Sequence, residues 1–233
     1  MADMKHIGIV GCSAEGAALC YRTICQDGSQ FLREYDHPEV SMHTFSLARY
    51  MDVLNERRWD AVGEIMAESA NKLGRAGADF VVCPDNTIHQ AFSQAAALSQ
   101  IPWLHIADGI RQEAVKRQYR RIAVLGTRWL MEGPVYKDKF AEVSIESHIP
   151  GEAERLQIND IIMSELVKSQ LKPASRRFFS QVIDRMRDQG CDAVVLGCTE
   201  IPLLISQDDS SLPIFDSTRM LARSALKHAI AGL

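Results

Sequence analysis

The chain has 233 residues, 46% hydrophobic and 24% charged, with a formal net charge of −4. That is the make-up of a soluble globular protein, long enough for one large domain or two small ones. No block of like charge concentrates the −4, which excludes broad electrostatic capture of nucleic acid or anionic membrane. No apolar run approaches the roughly 20 residues of a bilayer span.

In chain order, short runs rich in Val and Ile alternate with helical periods. The opening MADMKHIGIVG enters a strand at once (6–11) and lacks a signal-peptide pattern, so a cytoplasmic protein with reduced cysteines is expected. The following GIVGCSAEG has glycines at 8, 11 and 16, a poor dinucleotide fingerprint. A loop closing over a small anionic ligand, with Ser13 in it, fits better. Val62, Ile65, Met66, Ser69 and Leu73 mark a helix. DFVVC (79–83), IPWLHIAD (101–108) and RIAVLG (121–126) read as further strands. The basic residues at 111–121 are interleaved with Gln and Glu and read as a solvated helix face. Phe178, Phe179, Val182, Ile183 and Met186 mark another helix, which Gly190 ends before the strands DAVVLGC (192–198) and LPIFD (212–216). Strands alternating with helices predict an α/β fold with mostly parallel sheet. The six cysteines, at 12, 20, 25, 83, 191 and 198, form no C-x-x-C pair and no zinc spacing with histidine, so no metal is expected.

The chain also repeats itself. GADFVVCPDNTI (77–88) aligns without gaps on GCDAVVLGCTEI (190–201), HIGIVG on RIAVLG (121–126), and IPWLHIAD on LPIFDST (212–218). The offsets are 113, 115 and 111. Three matches in one order predict two pseudo-symmetric lobes with a cleft between them, the first of residues 1–108 plus 217–233 and the second of 109–216. Asp85 falls opposite Cys198 in the alignment, both just beyond the carboxyl end of a strand, where open α/β sheets place their ligands. Two titratable groups so placed suit proton removal on one side of a molecule and delivery on the other.

These motifs resemble the aspartate/glutamate racemase superfamily, the cofactor-independent amino-acid racemases. LGCTEIPLLI (196–205) is similar to its second catalytic motif, and CPDNTIHQ (83–90) to the first, P-C-N-T-x-H, with Asp85 where the cysteine would be. GTRWLMEGPVYKDKF (126–140) and DSTRMLARSA (216–225) are softer matches. The resemblance runs from about residue 6 to 228. It implies a two-lobed isomerase, usually a homodimer, acting on a small carboxylate or amino acid without pyridoxal phosphate or metal. By motif position Cys198 and Asp85 would exchange the proton. Asn86, Thr87 and Thr199 would hold the substrate carboxylate at helix N-termini, Arg49 would take a second carboxylate, and Glu200 would orient the thiol's neighbours and line the substrate site. The chain departs from the family pattern at Asp85, at Leu221 in place of a histidine, and at Ala17 and Leu130 in place of threonines.

Asp85 has three readings. A model carboxylate is a weaker base than a model thiol by ~4.6 pK units, about 6 kcal/mol, a gap that burial narrows. It is a tuned acid/base facing Cys198, a binder of a substrate ammonium, or a helix cap. The second reading leaves one working thiol, as in an arylmalonate decarboxylase-like decarboxylase or isomerase of a small carboxylic acid, and an inactive carboxylate-binding relative is the third reading beside the racemase. Cys83, matched by Leu196, reads as core. His89 reads equally as a partner of Asp85 or a surface histidine, His105 as core and Lys168 as surface.

Overall fold

The computed structural model describes residues 4–232. They fall into two compact units: the chain up to Ile106 together with the segment from Thr218 onward, and Ala107–Ser217.

The first unit runs β1 (Ile7–Gly11), α1 (Ala14–Gly28), β2 (Val40–Thr44), α2 (Leu47–Asn55), α3 (Trp59–Arg75), β3 (Phe80–Val82), α4 (Phe92–Leu98) and β4 (Trp103–Leu104), with α5 (Ile106–Lys116) beginning at its boundary. The second runs β5 (Arg121–Leu125), α6 (Arg128–Glu132), α7 (Pro134–Ala141), β6 (Glu146–His148), α8 (Glu152–Ser164), α9 (Pro173–Asp188), β7 (Ala193–Leu196), α10 (Ile201–Leu204) and β8 (Ile214–Asp216). Helix α11 (Ser217–Ile230) then returns the chain to the first unit.

Each unit has a four-stranded sheet, β2-β1-β3-β4 in one and β6-β5-β7-β8 in the other, with every neighbouring pair parallel. Parallel neighbours need helical crossovers, which cover both faces and demand apolar central strands. β1, β3 and β7 are buried throughout. In the first unit α3 lays Val62, Ile65, Met66, Ala70 and Leu73 against Val10 and Val81. In the second, α9 lays Phe179, Val182, Ile183 and Met186 against Leu125, Val194 and Leu196.

The aligned segments make the same contacts in both units. Gly77 (φ +97°) and Gly190 (φ +86°) each follow a helix in the left-handed conformation that glycine adopts without strain. Ala78 N–H then donates to Leu73 O at 3.0 Å, and Cys191 N–H to Met186 O at 3.1 Å. Two residues after each glycine an aspartate clamps the neighbouring strand. Asp79 Oδ2 accepts from His6 N at 2.7 Å and its amide donates to His6 O at 2.9 Å. Asp192 Oδ2 accepts from Arg120 N (2.6 Å) and Arg121 N (3.0 Å), and its amide donates to Arg121 O at 2.8 Å. Register follows: Ile7 pairs with Phe80 as Ile122 pairs with Ala193, and Val81 with Trp103 as Val194 with Ile214.

Two expectations are corrected. The strand read over 101–108 is only Trp103–Leu104, because the Ile106 amide turns onto His89 Nε2 (3.2 Å) and starts α5. GIVGCSAEG is no long loop: Cys12 and Ser13 alone join β1 to α1, and Ser13 Oγ caps that helix by accepting from Gly16 N at 3.2 Å.

Beyond the strands of the second unit, Gly126 and Gly197 lie close together under Leu130, and a side chain on either would press on it. A Cβ on Gly197 would lie 2.4 Å from Leu130 Cδ2 and 3.1 Å from Leu125 O. Buried Leu130 is thus a plug over two bare backbones, which accounts for an apolar residue there. Gly197→Ala should cost about 1–3 kcal/mol of unfolding free energy through overpacking. Gly190→Ala, strained only in φ, should cost about 1 kcal/mol. Urea unfolding of both variants checks the order.

Candidate active site

In the first unit β3 ends at Val82 and the chain runs through buried Cys83 to Asp85, Asn86 and Thr87. Cys83 packs in the core, and burial, followed by the nearby Asp85, pushes its thiol well up. A 3-10 helix, Thr87–Ala91, continues directly into α4. Asp85 Oδ1 accepts from Ile88 N at 3.3 Å, so the residue does cap this turn. Asn86 and Thr87 are buried beside it.

His89 holds the same loop from behind. Its ring accepts the Ile106 amide at Nε2, which leaves Nδ1 to donate to the Asp85 carbonyl at 2.7 Å. Those two bonds specify the neutral Nδ1–H tautomer. The ring is buried against Phe92 and His105, with centroids 5.5 and 4.9 Å away, so His89 is neither a surface residue nor a second acid beside Asp85.

Arg49, in the first turns of α2, is half-exposed. It donates to Glu68 Oε2 at 2.7 Å and lies over the Phe45 ring at 4.1 Å. Receiving a substrate carboxylate would mean exchanging Glu68 for it. The neighbouring Tyr50 escaped the sequence reading. It is completely buried, its hydroxyl has no hydrogen-bond partner among the described residues, and it packs in the cluster that holds Cys12 and Cys83. Burial, then the nearby Cys83, Cys12 and Asp85, push its phenol up. Its signal in the sequence was only an aromatic next to Arg49.

In the second unit β7 ends at Leu196, and Gly197 leads to Cys198, Thr199 and Glu200, all buried. The Cys198 thiol donates to Glu200 Oε2 at 3.0 Å, and the Thr199 hydroxyl donates to the same oxygen at 2.6 Å. Both bonds fall on one oxygen of Glu200. α10 that follows has four residues, and the turn after Asp85 is a short 3-10 helix. Neither offers the long helix N-terminus expected to steady a carboxylate or a thiolate. Tyr136 and Ser217 complete this end of the unit: the phenol is hydrogen-bonded to Ser217, whose hydroxyl donates to Leu196 O at 2.9 Å. Ala17 and Leu221, the other departures, are buried apolar positions.

Among the described residues, no group of three or more His, Cys, Asp or Glu side chains is arranged to hold a metal ion, and no helix is long and apolar enough to cross a membrane.

A family model described as Asp/Glu/Hydantoin racemase matches residues 9–225. The chain belongs to this family. A crystal structure of a candidate Asp/Glu racemase from Yersinia pestis is 29% identical, with a TM-score of 0.90 over 97% of this chain and 100% of that one. An aspartate racemase homologue from Pyrococcus horikoshii OT3 is 28% identical, with a TM-score of 0.83 over 97% and 99%. The broad specificity amino-acid racemase RacX of Bacillus subtilis strain 168 is 22% identical over 207 residues, 89% of this chain and 88% of its own. As a member of this racemase family the protein is an isomerase, with the family's two parallel sheets.

Removing the Tyr50 hydroxyl removes a buried polar group that no hydrogen bond offsets. Tyr50→Phe should therefore raise unfolding free energy by up to about 1 kcal/mol, read by urea titration. A loss of similar size would mean that the hydroxyl is bonded after all.

Proposed function

We propose that the protein is an amino-acid racemase of the aspartate/glutamate type, with Cys198 and Asp85 as its two proton-transfer groups, working as a cytoplasmic homodimer. The observation that carries this reading is the buried Cys198-Thr199-Glu200 run beyond β7, with its thiol proton directed at a carboxylate. Asp85, at the aligned position beyond β3, supports the second role.

In this reading one group takes the proton from the carbon next to a carboxylate, and the electron pair is delocalised into that carboxylate. The other group returns a proton to the opposite face. Pyridoxal phosphate and metal are not required. The amides and side chains of Asn86 and Thr87, the Thr199 amide and the Ser13 hydroxyl bind the substrate carboxylate that carries the developing charge. Arg49 releases Glu68 to pair with a side-chain carboxylate, an arrangement that favours aspartate or glutamate. The relative named as an aspartate racemase homologue supports this substrate class, and the one named as a broad specificity amino-acid racemase supports amino acids in general.

The test is incubation with L- and D-amino acids in heavy water, following Cα–H exchange by NMR. Exchange with inversion is expected. Cys198→Ala should lower it by about 10²–10⁴-fold, the usual contribution of a positioned acid or base. Asp85→Asn should do the same if Asp85 moves the proton, whereas a rise in KM alone would make it a binder. Carbon dioxide release from an arylmalonate without amino-acid exchange would replace the racemase with a decarboxylase.

A further inference from the structure

The proton-transfer reading leaves open which group starts as acid and which as base. We propose that Glu200 is a positioning residue that holds Cys198 as the protonated thiol, so that in the resting enzyme Cys198 is the proton donor.

The geometry is specific. One oxygen, Glu200 Oε2, receives both the thiol (3.0 Å) and the Thr199 hydroxyl (2.6 Å). Glu200 itself is only 5% exposed, so water does little to screen it. The S–H bond donates only while the sulfur keeps its proton. A thiolate in the same place would face a carboxylate oxygen at contact distance, and adjacent like charges disfavour the ionised form. Two other titratable groups lie at this end of the sheet. Asp216, opposite Leu196 in register, is a further acid, and burial pushes the Tyr136 phenol up, so that it stays uncharged. The four-residue α10 is too short to supply a compensating dipole.

The consequence rests on the racemase reading. Delivery of the Cys198 proton to the substrate carbon leaves a thiolate beside Glu200, while the base, assigned to Asp85, holds the proton it removed. That state is strained by the adjacent charges, so the two enantiomers should differ in kcat and in KM taken separately, while kcat/KM stays equal because the equilibrium constant of a racemisation is unity.

Alkylation reports the thiolate directly, because only the ionised sulfur attacks. Intact protein would be treated with iodoacetamide at pH 7.5 and the rate at each cysteine read by peptide mass spectrometry. Glu200→Gln should accelerate alkylation of Cys198 about 3–10-fold, since relief of a like charge is partly offset by lower nucleophilicity. Glu200→Asp, which keeps the charge, should stay within about twofold of wild type. Cys25, only partly buried, is the internal standard. Cys20, whose thiol burial pushes up to about 12, should remain unmodified in any folded variant. An unchanged or slower rate at Cys198 in Glu200→Gln would overturn the proposal.

If Glu200→Gln also exposes Cys20 and Cys83, Thr199→Val decides. It strips one donor from Glu200, strengthens its hold on the thiol and should slow Cys198 at least twofold, and an equal or faster rate would overturn the proposal. Alkylation needs no turnover. Absence of amino-acid exchange would therefore reject the racemase reading while this result stands or falls by itself. With turnover, Glu200→Gln should narrow the difference between the kcat values for L and D substrate at saturation, and a difference left unchanged would overturn the assignment.

Discussion

Each unit depends on one aspartate bonded to the strand beside its own. Asp79 and Asp192 fasten the start of a central strand to the start of its neighbour through both side chain and amide. In a parallel sheet no hairpin fixes register, and a slip of one residue would invert every side chain on the strand. The glycine two positions earlier ends the preceding helix at the point that brings the aspartate to the strand. Strand ends, and hence the residues just beyond them, inherit their positions from that clamp. The repeated G-x-D-x-V-V is therefore a construction device first, and its functional meaning begins only at its last residues.

That division explains what could be read without coordinates. The central strands were legible because burial on both faces forces unbroken runs such as FVVC and AVVLGC. α3 and α9 were legible because one buried face leaves a helical period. Of the edge strands, β4 and β8 were legible in IPWLHIAD and LPIFD, but β2 (VSMHT) and β6 (ESH) were not, being polar segments recognisable only by the neighbour they pair with. The end of the 101–108 strand was misread because apolar Ile106 continues the strand pattern, while an imidazole seventeen residues earlier decides that a helix begins.

The candidate site divides in the same way. Residue types beyond the strands were readable from the motifs, and their commitments to one another were not. His89 could have been a surface residue by its helical position, yet both ring nitrogens serve backbone groups. Glu200 was grouped with the substrate contacts, yet one of its oxygens accepts from both Cys198 and Thr199. Arg49 was assigned from motif position, and only coordinates reveal Glu68 and Phe45 as its present partners. Such pairings join residues whose separation in sequence carries no periodic signal.

The clamp at Asp79 lies six residues before Asp85, and the His89 bonds to the Asp85 carbonyl and the Ile106 amide secure the loop through main-chain atoms. The side chain at 85 adds a capping bond to a peptide path that other groups also hold. Exchanging oxygen for sulfur at this tip would retune acidity over several orders of magnitude and leave the main-chain bonds that carry the loop in place.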